Sequence, residues 1–114
     1  MMELVNIEIA NKIATITLAN GKVNAISHQV ITELNTALDQ AEEAKAVVIL
    51  TGQSGILSGG YDLKTMQKSM DDAMALVTEG SKLTRRMLSF PFPIIGACPG
   101  HAVAKGAFLL LSCD

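Results

Sequence analysis

From Leu4 to Ala10, and again from Ile13 to Ala19, apolar and polar side chains alternate at a period of two, the pattern of strands that bury one face. Asn11-Lys12 between them suits a tight turn, so an antiparallel hairpin is expected to open the chain. Asn20-Gly21-Lys22 ends that pattern, and after Val23-Asn24-Ala25-Ile26 the period changes. Ser27 has the chemistry of a helix cap, and Val30, Ile31, Leu34, Ala37, Leu38 and Ala41 then recur at helical spacing. The other face of that helix, with Glu33, Asp39, Glu42 and Glu43, is expected in water.

Ala46 to Thr51 reads as a strand apolar on both faces, which predicts helices on each side of it. A glycine loop follows directly, Gly55-Ile56-Leu57-Ser58-Gly59-Gly60-Tyr61-Asp62-Leu63, and its Asp-Leu pair suits the opening of a helix. A second helical region runs from Met70 to Leu88 on Leu76, Val77, Leu83, Met87 and Leu88, and Phe90-Pro91-Phe92-Pro93 ends it. Pro93 to Cys98 predicts another buried strand, Pro99-Gly100-His101-Ala102 a turn, and Ala104 to Cys113 an almost wholly apolar helix. Such a helix needs covering protein on every side. Residues 1–114 are therefore expected to be one α/β domain that continues past Asp114.

Composition narrows the function classes. Of 114 residues 49% are apolar, which suits a single globular unit and excludes intrinsic disorder. The net charge of −2 arises from 9 basic and 11 acidic residues with no basic block, arguing against nucleic acid and against anionic membrane surfaces as partners. The N-terminus has no basic start and apolar signal core, and no apolar run reaches the ~18 residues of a membrane span, so a cytoplasmic location is expected. Cys98 and Cys113 stand in apolar company without zinc-site spacing, and reduced thiols with no metal are expected.

Two segments share one logic: each follows an apolar strand, contains glycine and leads into a helix. In open α/β sheets ligands collect at the carboxyl ends of strands. If the two loops converge, two main-chain N–H groups can point at one oxygen atom; spacing alone equally allows tight strand-to-helix turns. A dinucleotide fingerprint, a phosphate loop and a nucleophile elbow around Ser54 or Ser58 are all missing, which disfavours nucleotide hydrolysis and serine-hydrolase chemistry. His28 and His101 have no metal-ligand partners at helical spacing; His101 is the better candidate because it lies in the second loop. Asp62 is read as a helix cap before a base. Met66, Met70 and Met74 are read as core packing before the floor of an acyl pocket.

These residues together resemble the crotonase superfamily, the enoyl-CoA hydratase and isomerase family. The resemblance runs through Val23-Asn24-Ala25-Ile26, Val47-Val48-Ile49-Leu50-Thr51-Gly52, Ser58-Gly59-Gly60-Tyr61-Asp62-Leu63, Pro93-Ile94-Ile95-Gly96-Ala97, Gly100-His101-Ala102 and Cys113-Asp114. It implies the N-terminal portion of a ClpP/crotonase-like spiral of ββα units, assembled as trimers or dimers of trimers, that acts on acyl-coenzyme A thioesters of fatty acid metabolism. Coenzyme A would come as part of the substrate, with no separate cofactor. The thioester oxygen would be held by the N–H groups of Tyr61 and Lys105. The segments around Asn24-Ala25-Ile26 and Tyr61-Asp62-Leu63-Lys64 would wrap coenzyme A, with Lys22 and Lys64 as phosphate neighbours. Ser58, Gly60, Gly106 and Phe108 would belong to the same substrate site.

One departure decides the expected chemistry. Hydratases of this family typically read Gly-Gly-Gly-x-Glu where this chain reads Ala104-Lys105-Gly106-Ala107-Phe108. A main-chain N–H survives the change to Lys105, whereas the Phe108 ring transfers no proton in place of a glutamate. The family's second acidic residue would lie beyond Asp114. The resemblance therefore implies an isomerase-like or divergent acyl-CoA lyase or isomerase before a two-glutamate hydratase, with a non-catalytic acyl-CoA-binding paralogue as the rival.

Overall fold

The computed structural model describes residues 2–114. Strands β1 (Val5–Ala10) and β2 (Ile13–Leu18) form the expected antiparallel hairpin, from Val5 opposite Leu18 to Ala10 opposite Ile13. Asn11 and Lys12 take φ of 53° and 62°, the left-handed pair that gives a two-residue turn the twist of its strands. Helix α1 (His28–Glu43) returns the chain to β3 (Val47–Thr51), which lies parallel beside β2. The Ser27 hydroxyl accepts the Val30 N–H at the start of α1, as expected of a cap.

Next come β4 (Gly55–Ser58), α2 (Leu63–Lys68), α3 (Met70–Leu88), β5 (Ile94–Gly96), β6 (Gly100–Ala102) and α4 (Lys105–Leu111). The main sheet has the order β1-β2-β3-β5, and β4 and β6 pair separately as a two-stranded parallel sheet. Both segments read as glycine loop and turn thus begin with a short strand. Ser69 separates α2 from α3 with an extended backbone, and its hydroxyl accepts the Asp72 N–H.

Helices α1 and α3 cover one face of the main sheet. Ile16, Leu34, Leu38, Val48, Leu50, Leu83, Met87 and Ile94 line a small apolar void of about 10 Å³. The buried stripe of α3 is Leu76, Gly80, Leu83 and Met87, while Val77 and Leu88 face outward. The opposite face of β3 carries Val47, Ile49 and Thr51, all half-buried, so the double-sided covering expected from its composition is met on one side.

Glu33 does not face water. It is 7% exposed, and its Oε1 accepts the N–H groups of Glu3, Leu4 and Val5 at 2.8 to 3.1 Å. Burial pushes its carboxyl upward, but these donors and the Gln29 amide more than offset that, and its pKa lies below the ordinary value. A carboxylate on a buried face is stable here because it satisfies the N–H groups of the bend that leads into β1.

Candidate functional site

Ser58 and Ala102 are paired across β4 and β6, and the Val103 N–H donates to the Ser58 carbonyl at 3.0 Å. From that pair each chain runs on by three residues, one to Tyr61 and the other to Lys105. Tyr61 is flanked by a parallel bridge in which Ile26 N–H donates to the Gly60 carbonyl at 2.8 Å and Asp62 N–H to the Ile26 carbonyl at 2.9 Å. Alternation along an extended chain turns the Tyr61 N–H away from that bridge. Among the described residues it has no acceptor, and neither does the Lys105 N–H.

The two donor segments touch. Gly60 has φ of +106°, and a Cβ built there would lie 3.1 Å from the Ala104 Cβ and 3.4 Å from the Lys105 nitrogen. A side chain on residue 60 would wedge the segments apart. On the facing segment Ala104 holds φ of 52° and ψ of −122°, a conformation rare for a residue with a side chain and worth about 1–3 kcal/mol of strain. Gly106 allows the same close approach one step further on, because a Cβ there would overlap the Ser58 carbonyl oxygen.

Asn24 and Ser58, both 0% exposed, frame the first segment. The Asn24 amide donates to the carbonyls of Leu18 and Leu57, and its Oδ1 accepts from Asn20 and Gln53. The Ser58 hydroxyl donates to the Asn24 carbonyl at 2.7 Å and accepts the Gly60 N–H at 3.1 Å. With their polar atoms engaged inside the protein, both shape the loop and neither side chain is open to a ligand. Ile26 is likewise fully buried.

Beside Tyr61 opens a cleft of about 340 Å³, walled by Val23, Ala25, Gly59, Gly60, Asp62, Leu63 and Lys64. This unites most of the residues expected around coenzyme A. Lys64 and Leu63 are exposed on its rim, and Lys22 is exposed at the turn before it. Asp62 is a cap, its Oδ2 accepting both the Thr65 N–H and hydroxyl. Phe108, 58% exposed, stands on the outer side of α4. His28 and His101 are also exposed. Met66 packs against the core, but Met70 and Met74 do not; they are 75% and 61% exposed, which overturns their reading as core. No cluster of His, Cys, Asp or Glu suited to a metal occurs among the described residues, and no helix there is long and apolar enough to cross a membrane.

Sequence reasoning gave Lys105 only a backbone role. The residue is 7% exposed, with Nζ 3.4 Å from the Thr84 hydroxyl and 5.5 Å from the centre of the Tyr61 ring. Burial lowers the pKa of this ammonium and raises that of the Tyr61 phenol. No signal in the local sequence marks that burial, because α3 supplies the contacts from a distance of 21 residues.

The geometry has counterparts among known proteins. The sequence model of the enoyl-CoA hydratase/isomerase family matches residues 8–114. A probable enoyl-CoA hydratase of Bacillus subtilis is 34% identical over 98% of this chain and 45% of its own length. An enoyl-CoA hydratase/isomerase family protein from Pseudomonas syringae superposes with a TM-score of 0.96 at 67% identity, over 97% of this chain and 48% of that one. The ligand-free enoyl-CoA isomerase of Mycobacterium tuberculosis superposes with a TM-score of 0.93 at 37% identity, over 100% of this chain and 50% of that one. The chain thus spans about half the length of these relatives. Its architecture is the N-terminal portion of the crotonase fold, and the chain belongs to the enoyl-CoA hydratase/isomerase family of the crotonase superfamily.

Proposed function

We propose that this chain binds an acyl-coenzyme A thioester along the Val23–Lys64 cleft and holds the thioester oxygen between the N–H groups of Tyr61 and Lys105. The carrying observation is that these two N–H groups lack acceptors among the described residues and stand on segments in contact at Gly60 and Ala104. When the α-hydrogen leaves as a proton, charge moves onto the thioester oxygen and an enolate forms. Donors fixed beforehand stabilise that charge without reorganising, and one such donor is worth about 2.7–4 kcal/mol in the transition state. Coenzyme A enters as part of the substrate, with the exposed Lys22 and Lys64 ammonium groups near its phosphates.

Shift of a double bond is the preferred reaction over addition of water. Phe108 supplies no proton, and the Asp62 carboxylate is engaged in capping α2. A single acid/base outside the described cleft suffices for moving a proton between two carbons of one dienolate, whereas hydration also requires activating a water. The working unit would be a homotrimer or a dimer of trimers. The names of the relatives agree with acyl-CoA chemistry and divide over the reaction, hydratase for one and isomerase for another.

Native mass spectrometry with a panel of acyl-CoA thioesters tests this reading. At least one thioester is expected to bind, and binding of none overturns the proposal. Incubation of a bound thioester in deuterium oxide then reads enolate formation as exchange of the α-hydrogen. Binding without exchange would favour the non-catalytic acyl-CoA-binding paralogue that Phe108 also fits.

A further inference from the structure

We propose that the Lys105 side chain is a positioning residue for the oxyanion hole: its ammonium, held between the Tyr61 ring and Thr84 of α3, locks the two donor segments together and places a positive charge behind them. The inference rests on the thioester reading for its chemistry, and one arm of its test requires no thioester.

Lysine is an unfavourable choice for a buried position, where an apolar chain of similar length fills the space without desolvating a charge. Yet Lys105 is only 7% exposed, and among the described residues no carboxylate lies within 4.0 Å of its Nζ. Its neighbours are instead an aromatic face and a hydroxyl. The 5.5 Å separation from the Tyr61 ring centre is within cation–π range. Thr84 donates its own hydroxyl hydrogen to carbonyls of Gly80 and Ser81, which leaves an oxygen lone pair for the ammonium at 3.4 Å.

The same contacts join the two donors. Tyr61 provides one N–H, and its hydroxyl lies against Gly80, one turn before Thr84 on α3. Lys105 provides the other N–H and covers the ring of the first. Each donor residue is therefore anchored to one stretch of α3, and each to the other. Tyr61 is the titratable group facing the ammonium. The charged residues of α3 are directed elsewhere: Asp71 is exposed, Asp72 bonds to Ser69, Lys82 pairs with Glu79, Arg86 with Asp39 and Glu42, and Arg85 is exposed. Among the described residues no carboxylate pairs with the lysine charge, so in this proposal its field acts on an anionic oxygen in the hole, where low dielectric strengthens it.

The first arm follows the backbone ¹⁵N shifts of Tyr61 and Lys105 in carbon-detected spectra, which fast amide-proton exchange does not erase, from about pH 7 to 11, through the lysine range. A shared titration in the unmodified chain that disappears in Lys105→Met is expected; amide shifts that stay flat overturn the inference. The second arm measures α-hydrogen exchange of butyryl-CoA in deuterium oxide. Lys105→Met keeps the N–H and is expected to lower kcat by about tenfold or more with KM changed less than about threefold, and Thr84→Val to act in the same direction more weakly. Exchange at the parental rate in Lys105→Met overturns the inference. If the parental chain binds and exchanges no thioester, the enolate reading falls, and the amide titration alone decides whether Lys105 reaches the two donors.

Discussion

Ser58 accepts the Gly60 N–H through its hydroxyl oxygen at 3.1 Å, in a position with no exposure to solvent. Ser58→Ala leaves that N–H and the Asn24 carbonyl without their partner, and a buried unsatisfied group costs about 1–3 kcal/mol. The urea midpoint is expected to fall accordingly. Enolate formation, read by α-hydrogen exchange, is expected to fall as well, because the tether sets the direction of the peptide that carries the Tyr61 N–H. An unchanged midpoint would show that the hydroxyl contributes nothing to the loop.

Glu33 gives the fold a predictable acid sensitivity. Its pKa in the folded chain is depressed below the ordinary 4.5, so its stabilisation is complete above that value and is lost as pH falls through the lower folded value. Glu33→Gln is expected to cost up to about 1.5–3 kcal/mol near neutral pH, the range for hydrogen bonds to a charged group. It is also expected to flatten the fall in urea midpoint on acidification. A variant with the parental acid slope would refute the assignment.

Phe108→Glu tests which reaction the fold supports. The position is 58% exposed, so the substitution is expected to change stability by less than about 0.5 kcal/mol. If the glutamate of a hydratase belongs at this point of α4, addition of water to an enoyl-CoA should appear or increase, measured as loss of enoyl absorbance. No gain in hydration would separate Phe108 from the choice of reaction.

The two cysteines are expected to differ in reactivity. Burial, followed by the negative charge of Asp114, pushes the Cys113 thiol up to about 11, so little thiolate exists at neutral pH. Cys98 is exposed. Brief treatment with iodoacetamide at pH 7.5 should label Cys98 and spare Cys113, as located by peptide mass spectrometry; equal labelling would contradict the enclosure of Cys113.

What the sequence made legible was local. Asn11-Lys12 at a hairpin, Ser27 and Asp62 as caps, and the limits of α3 from Met70 to Leu88 all follow from chemistry within a few residues. Glu33 was misplaced because its partners lie 28 to 30 residues away, where a helical repeat carries no information. Strands β4 and β6 have four and three residues and include glycine, too short for alternation to show. Family resemblance marked Tyr61 and Lys105 as donors, and the fold brings their segments together. The burial of the Lys105 ammonium depends on Thr84 and was invisible from α4 alone.

Because Ser58 and Ala102 are neighbours in one small sheet, the spacing of the two donors is fixed by counting residues. Each branch has two residues between the paired position and its donor: Gly59 and Gly60 on one side, Val103 and Ala104 on the other. The reach of the two N–H groups therefore obeys a rule of length, over and above what the side chains contribute. In the proposed oxyanion hole a tyrosine and a lysine can stand at these positions because the groups they would offer are main-chain amides. Removing a single residue from either branch would displace a donor by about 3.3 Å, more than the reach of a hydrogen bond tolerates.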